Sequence, residues 1–345
     1  MTKNFLLLYI FILIVVLAPK KSISQDVEFS QFFSVPLHLN PALAGISFGP
    51  RFVAAYRNQW PGLGNGINGG FVSYVASYDQ HFEKIHGGIG ISLLADQISS
   101  GTINRINPTV SYSFQARITQ TFGMKIAIEG SFHHISLDWN ELLKADVSNS
   151  LAQFGGLINL PTVSAFTPPV NSTVNKFDLN TGLVLFSDKL FMGATVKHLL
   201  RPDLSFYGNE EDRLDLRLGL HAGAVAYFGD RRKSETYLSP NAMFLLQGPF
   251  KQITAGMLLN VKSIFGGVYF RHNIKNSDAV IFQVGVSESL FRLGYSFDAQ
   301  VSDLNKTTSR GTHELILTFN LARNDNSLNP RSRSGILTCP PVIGF

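Results

Sequence analysis

The chain is poor in residues that several classes of protein need. Of its 345 residues only 15 % are charged, against about 25 % in typical soluble domains, while 45 % are hydrophobic. A disordered chain would carry more charge and far fewer aromatic residues than this one, which has 28 Phe. The single cysteine, Cys339, excludes an intramolecular disulfide framework and a cysteine-based zinc module.

The chain also has little positive charge once its N-terminus is set apart. The formal net charge is +5, and Lys3, Lys20 and Lys21 lie within the first 24 residues, which contain no acidic residue. The balance that remains is too small for the basic surface of a nucleic-acid-binding protein, so we expect no nucleic-acid partner.

An export signal is predicted at residues 1–24. The apolar run Phe5–Ala18 fits the core of a signal peptide and is short for a transmembrane helix, which needs about 20 residues. Ser22 and Ser24 form a small-x-small cleavage pattern, which predicts a mature chain that starts at Gln25. An uncleaved anchor is the alternative, because two lysines follow the apolar run. No later run is long enough for a spanning helix.

Apolar and polar residues alternate through most of the remaining chain. From Leu214 to Phe228 every even position is apolar, while the odd positions include Arg213, Asp215 and Arg217. Because successive side chains of a strand point to opposite faces, such a segment has one apolar and one polar face. The same pattern predicts about 14 strands, at 50–58, 70–80, 86–96, 104–117, 123–137, 176–187, 189–199, 213–229, 234–247, 250–260, 263–272, 278–288, 290–299 and 311–322.

These strands predict an all-β fold, a transmembrane antiparallel β-barrel of about 14 strands (12–16) over residues 50–322. Their lengths and even number are those of single-chain outer-membrane barrels. Connections after even-numbered strands are short and most others are longer, which predicts that both termini are periplasmic. A periplasmic segment at 25–49 and a periplasmic tail at 323–345 then flank the barrel. A secreted β-sandwich is the alternative, but small residues on the polar faces favour the barrel.

No catalytic, cofactor-binding or metal-binding constellation is found. The glycine-rich stretch 64–69 has dinucleotide-motif spacing but precedes a strand, not a helix. His134 and Ser136 share a strand face without an orienting acid, which makes a barrel hydrolase a weak alternative. His133 and His134 face opposite ways and the other histidines are scattered, so we expect no metal centre. The long connection 138–175 either plugs the lumen or forms an outer surface.

Three stretches carry a family resemblance. They are QDVEFSQFF at 25–33, PLHLNPALAG at 36–45 and YRNQWP at 56–61, and Val27 stands where proline is commoner. Together they resemble the N-terminal signature of the PorP/SprF family of outer-membrane proteins from Bacteroidota. The segments 295–298 and 311–315 are similar to that family's closing strands, so the likeness extends to about residue 322.

The resemblance implies a non-enzymatic barrel of the type IX secretion system in the cell outer membrane, without cofactors. Such barrels serve either general export or one large adhesin, including adhesins of gliding motility. The implied partners are secretion components, outer-membrane lipid and a secreted adhesin or its C-terminal signal domain. A passive or substrate-specific porin is the alternative function. The candidate partner-binding residues are those matched to the signature, namely Phe29, Gln31, Phe32, Phe33, Asn40, Pro41, Arg57 and Trp60.

Overall fold

A computed structural model describes residues 26–47, 49–63, 70–143, 169, 171–207, 213–228, 236–274, 276–301 and 310–321. The predicted export signal, the glycine-rich stretch 64–69, most of the connection 138–175 and the tail with Cys339 lie outside these ranges. The strands are β1 (Arg51–Gln59), β2 (Phe71–Phe82), β3 (Gly87–Ile98), β4 (Ile103–Arg117), β5 (Gly123–Leu137), β6 (Thr173–Phe186), β7 (Leu190–Lys197), β8 (Arg217–Ala224), β9 (Ala226–Tyr227), β10 (Tyr237–Gln247), β11 (Phe250–Val261), β12 (Ile264–Asn273), β13 (Asn276–Ser287), β14 (Phe291–Gln300) and β15 (Thr312–Asn320).

The strands form one closed antiparallel sheet. Each pairs with its neighbours in sequence, and β15 pairs with β1 to close the barrel. Both β8 and β9 pair with β10, so they are two parts of one wall strand and the wall has 14 strands, as predicted. The predicted strand 213–229 is therefore shorter and interrupted. The break falls at Val225, whose N–H still donates to the carbonyl of Lys189 (2.8 Å) in register with the pairing of β7 and β8.

The wall is apolar outside and polar inside. On β4, Ser113 is fully buried while its neighbour Phe114 is 46 % exposed, and on β8 the same relation holds between His221 (3 %) and Leu220 (55 %). A water-soluble sandwich would bury the apolar face instead. The observed orientation, with apolar side chains toward lipid and polar side chains toward the lumen, is that of a transmembrane barrel.

The residues that precede β1 run through the inside of the barrel, and we call Asp26–Ser47 the lumenal segment. It contains a 3₁₀ turn at Phe32–Ser34, a short helix α1 (Pro36–Leu39) and a second 3₁₀ turn at Pro41–Leu43. Proline suits the first position of both latter elements because it has no N–H to satisfy there. Asn40 caps the second turn by accepting the N–H of Ala42 (2.9 Å). No helix in the described ranges is long and apolar enough to cross a membrane.

Two apolar clusters fix the lumenal segment against the wall. Phe32 and Phe33 pack with inward-facing wall residues such as Phe191. Phe29 packs with Val35 and with inward residues of β1, β2 and β15. From sequence alone, packing below the barrel rim is the expected position of these phenylalanines and entry into the lumen is the alternative, so their place inside the barrel corrects that expectation. They lie in the lumen because the wall carries buried apolar patches there, within an otherwise polar interior.

Candidate functional site

All the predicted partner-binding residues except Trp60 come together inside the barrel. Phe29, Gln31, Phe32, Phe33, Asn40 and Pro41 belong to the lumenal segment, and Arg57 projects from β1 onto it. Trp60 lies apart, just beyond β1. Its backbone N–H donates to the carbonyl of Gly311 (3.0 Å), and its ring packs edge-on against Phe71 (5.6 Å between ring centroids). The candidate site is therefore the contact between the lumenal segment and the wall.

A buried ionic cluster holds the first turn of the lumenal segment. Glu314 on β15 accepts the backbone N–H groups of Ser30 and Gln31, both at 2.8 Å. Arg57 donates to Glu314 (3.1 Å) and to the hydroxyl of Ser30 (2.8 Å). Ser30 in turn donates to the carboxylate of Asp298 (2.7 Å). Because these groups are buried, each charge depends on its partners for compensation.

The cluster extends along the wall to Arg271, which also donates to the hydroxyl of Ser30 (3.3 Å). Arg271 pairs with Asp298 at 3.0 Å, and the amide of Gln283 donates to the carbonyl of Ser30 (3.1 Å). The side-chain amide of Gln31 is buried, yet it makes no hydrogen bond with any described residue. Its backbone N–H, not its side chain, is what binds the wall.

A second charged cluster surrounds Asp26 at the start of the segment. Its carboxylate accepts from His198 Nε2 (2.6 Å) and from Arg217 (3.2 Å), and Arg105 lies at 3.6 Å. Burial opposes ionisation of Asp26, but these cations, His198 first, hold its pKa well below 3.8. Glu28 also pairs with Arg217. Asp26 is therefore an ionised group bound by three cationic wall residues.

His198 connects this cluster to two wall strands. It follows β7, and its Nδ1 donates to Asp178 Oδ2 on β6 (2.7 Å). Burial disfavours the charged imidazolium, but the carboxylates of Asp26 and Asp178 outweigh that effect and raise the pKa of His198 to about 9. His133 on β5 places its Nε2 3.6 Å from the same oxygen of Asp178.

Two of the histidines that are scattered along the sequence, His133 and His198, lie together in space. His133, Asp178 and His198 are buried, and their potential ligand atoms lie within 4.8 Å of one another. His133 lies on β5, Asp178 on β6 and His198 directly after β7, so three neighbouring wall strands bring them together. Strand alternation predicted that His133 and His134 face opposite ways, and the structure shows that His133 is the one facing the lumen. The missing information was the register between β5 and β6, which the long connection separates.

His38 joins the two halves of the lumenal segment, Asp26–Gln31 and Asn40–Ser47. Its Nε2 donates to the carbonyl of Val27 (2.8 Å), and its own carbonyl accepts from Lys197 on β7 (2.6 Å). Burial, followed by the positive charge of Lys197, lowers the pKa of His38 to about 3. The neutral imidazole is therefore the form that fits this position.

The second half of the segment is bound mainly through its backbone. The carbonyl of Ala44 accepts from Ser113 (2.7 Å), and the N–H of Gly45 donates to Asp79 (2.7 Å). The carbonyl of Leu43 accepts from Arg51 (3.2 Å), which also pairs with Asp79. Wall side chains thus satisfy backbone groups that no helix or sheet satisfies.

Asn40 is the polar side chain that anchors this second half. Its amide nitrogen lies 3.1 Å from the carbonyl of Leu183, 3.3 Å from that of Ala194 and 3.0 Å from His221 Nε2. Wall glycines make room for it, since a Cβ at Gly182 or Gly193 would collide with the Asn40 amide. The sequence motif around Asn40 therefore fits a close contact with small wall residues.

The cavities along the lumenal segment are small. A polar cavity of about 50 Å³ lies beside Asp26, His133 and His198. Two cavities of about 10 Å³ each lie near Leu39 and near Phe32. Each of these three cavities has room for at most a few water molecules.

Comparison with known proteins gives one family and several distant barrels. A family model described as type IX secretion system membrane protein PorP/SprF matches residues 21–319. No curated protein matches the chain. Similar solved structures include the toluene transporter TbuX of Ralstonia pickettii, with 10 % identity over 83 % of this chain and 92 % of that chain (TM-score 0.47). Omp33 of Acinetobacter baumannii is 7 % identical over 80 % of this chain and 99 % of that chain (TM-score 0.41). These structural likenesses are too distant to carry a functional argument.

Proposed function

The chain belongs to the PorP/SprF family of type IX secretion system membrane proteins and forms an outer-membrane β-barrel. From this premise we propose that it supports the export or surface attachment of large secreted proteins, such as adhesins of the gliding type. It does so without catalysis, by binding the substrate or other components of the secretion system. The substrate feature it receives is a C-terminal signal domain, or the attached adhesin as a whole.

The observation that carries this proposal is the occupied lumen. The lumenal segment crosses the barrel interior and contacts wall residues on opposite sides, Asp298 and Glu314 on one and His198 and Leu183 on the other. A segment packed against both sides of the lumen narrows any path for solutes, which favours a barrel that presents surfaces to protein partners over an open porin. A periplasmic start of the segment, with the tail 323–345 on the same side, would place both near periplasmic components.

The signature residues have an indirect role in this proposal. Phe29, Phe32, Phe33, Asn40 and Arg57 hold the lumenal segment in place, and this determines which rim surfaces a partner meets. Direct contact of these side chains with a substrate requires the segment to leave the lumen, because they are buried. Trp60, beyond β1, is the candidate that lies outside this packing.

The test is to delete the gene and compare the surface and secreted proteomes of the deletion and parent strains. Loss of one or a few large exported proteins is expected for a dedicated partner, and loss of many for a general component. Restoration by the full-length gene is the control. Unchanged proteomes would overturn the secretion role.

The porin alternative is tested on the purified protein in planar bilayers. A lumen occupied as described predicts no stable large conductance for the full-length chain. A persistent large conductance from the intact protein would favour a porin, because it requires a continuous aqueous path through the barrel.

A further inference from the structure

We propose that His133, Asp178 and His198 form a binding site for a divalent transition-metal ion of the zinc class inside the barrel. Two imidazole nitrogens and one carboxylate oxygen are a donor set that suits zinc. The three side chains are buried, and their potential ligand atoms lie within 4.8 Å of one another. This site is independent of the secretion role proposed above.

The distances are close to those that a tetrahedral ion needs. Zinc bonds of about 2.0–2.1 Å separate neighbouring ligand atoms by roughly 3.3 Å. Asp178 Oδ2 lies 3.6 Å from His133 Nε2 and 2.7 Å from His198 Nδ1. Binding therefore requires the first pair to close and the second to open by a few tenths of an ångström, which side-chain rotation provides. It also releases the Nδ1 proton of His198 to solvent, because that nitrogen donates to Asp178 without the ion and can bind a metal only through its lone pair.

His133 is the residue that an ion explains best. Its side chain is buried, and its Nε2 faces Asp178 but makes no hydrogen bond among the residues that the structure describes. The 3.6 Å separation from Asp178 is too long for a hydrogen bond, and a metal ion bound between the two groups would satisfy this buried nitrogen. Binding through Nε2 leaves the proton on Nδ1, which lies 3.0 Å from the Asn107 amide. Asn107, whose amide nitrogen also donates to the carbonyl of Phe132 (3.0 Å), would give up that bond to turn its oxygen toward the ring.

Asp26 completes the arrangement from the lumenal segment. Its carboxylate lies 2.6 Å from His198 Nε2, the ring nitrogen that does not face Asp178. A carboxylate in this position fixes the orientation of a metal-binding histidine and makes it a better ligand. The metal would thereby connect the lumenal segment to β5 and β6.

The surroundings have room for a fourth ligand, and the neighbouring arginines pair with Asp26 and not with Asp178. The cavity of about 50 Å³ is lined by both histidines and Asp26, so a water molecule can complete the coordination. The nearby guanidinium groups of Arg105 and Arg217 pair with Asp26, at 3.6 and 3.2 Å. They balance the charge of the Asp26 carboxylate, while Asp178 supplies the anionic ligand.

The experiment titrates the full-length protein, folded in detergent and freed of metal with a chelator, with Zn²⁺ and with Co²⁺. We expect one equivalent of Zn²⁺ to bind and raise Tm, and Co²⁺ to give the visible absorption of a four- or five-coordinate site. His133→Gln and His198→Gln should weaken Zn²⁺ binding at least about 100-fold, and Asp26→Asn about 10-fold, since outer partners typically contribute 10–100-fold.

His134→Gln is the matched control, because His134 is the next residue on β5 and points away from the lumen, toward Asn175. Equal Zn²⁺ affinity of wild type, His133→Gln and His134→Gln would mean an adventitious ion only and would overturn the site. X-ray absorption of the wild-type Zn²⁺ complex decides the question even if the lumenal variants fail to fold. Two imidazole ligands support the proposal, and a coordination shell of oxygen alone contradicts it.

Discussion

The two halves of the lumenal segment are bound by different kinds of interaction. The first half, Asp26–Gln31, places charged side chains among charged wall residues and uses backbone N–H groups to bind Glu314. The second half, Asn40–Ser47, contributes no charged side chain. It offers carbonyls and N–H groups to wall side chains and lies against wall glycines.

This difference determines what each half is sensitive to. Charged contacts in a buried site depend on every partner, because one missing group leaves the others uncompensated. Backbone contacts at glycines depend on distance, since one added carbon atom closes the space. Removal of a charge should therefore weaken the binding of the first half to the wall, and an added side-chain atom should weaken the binding of the second half.

Arg57→Ala should have the largest effect, because it removes the cation shared by Glu314 and Asp298 below the first half. We expect the free energy of unfolding to fall by about 3–5 kcal/mol, the cost of breaking a buried pair. Urea unfolding of the protein folded in detergent or lipid measures it. A loss similar to that of an exposed pair would contradict the role given to this cluster.

The double variant Arg57→Leu with Glu314→Leu is the control for that measurement. Removing both charges leaves a smaller imbalance, so the double variant should lose less stability than the sum of the losses of Arg57→Leu and Glu314→Leu measured singly. Simple additivity would mean that the two groups do not interact in the folded protein.

Gly88→Ala applies the complementary change to the second half. A Cβ there would collide with the carbonyl of Ala44 and lie 2.7 Å from the Cα of Gly45, both backbone atoms that cannot move aside easily. Overpacking of this kind costs about 1–3 kcal/mol. Limited proteolysis, read by mass spectrometry, should also show the second half of the segment cleaved faster.

Gly266→Ala is the matched control on β12, where a Cβ would meet only the carbonyl of Gln283 at an ordinary 3.7 Å. It should leave both stability and proteolysis near the wild-type level. An equal loss in the two variants would show that glycine itself, not the approach of the lumenal segment, matters at Gly88.

The strands could be predicted from sequence, but the contacts that bind the segment could not. Alternation of apolar and polar residues marks where a strand begins and ends. The strand predicted at 104–117 is β4, found at Ile103–Arg117. Register across the closure is not encoded in such a pattern. Arg57 lies directly opposite Glu314 because β15 pairs with β1, far away in sequence. The segment itself has no period, so its place in the lumen depended on wall partners that alternation does not identify.

Lowering the pH tests the residue that joins the two halves. The pKa of His38 is about 3 in the folded protein and 6.5 in a free imidazole, so stability from the neutral ring is present above pH 6.5 and lost as the pH falls toward 3. Between pH 7.5 and 5.5 wild type should lose about 1 kcal/mol that His38→Gln does not lose. Urea unfolding at both pH values measures the difference.

The comparison of wild type with His38→Gln is needed because His198 has the opposite effect on the pH dependence of stability. Its raised pKa adds stability as the pH falls toward 6.5, equally in wild type and in His38→Gln. The difference between the proteins therefore isolates His38. Identical pH dependence would show that His38 is not buried in its neutral form.

Gln31→Met should have the smallest effect, and its sign separates side-chain from backbone binding within the first half. The Gln31 amide is buried and makes no hydrogen bond with the described residues, whereas its backbone N–H donates to Glu314. Methionine keeps the length of the side chain and removes the unpaired polar atoms, so stability should change by less than about 1 kcal/mol or rise. Urea unfolding beside Arg57→Ala gives the scale. A loss of several kcal/mol would mean that the amide, as well as the backbone, binds the wall, and that the charged half of the segment also depends on neutral side-chain contacts.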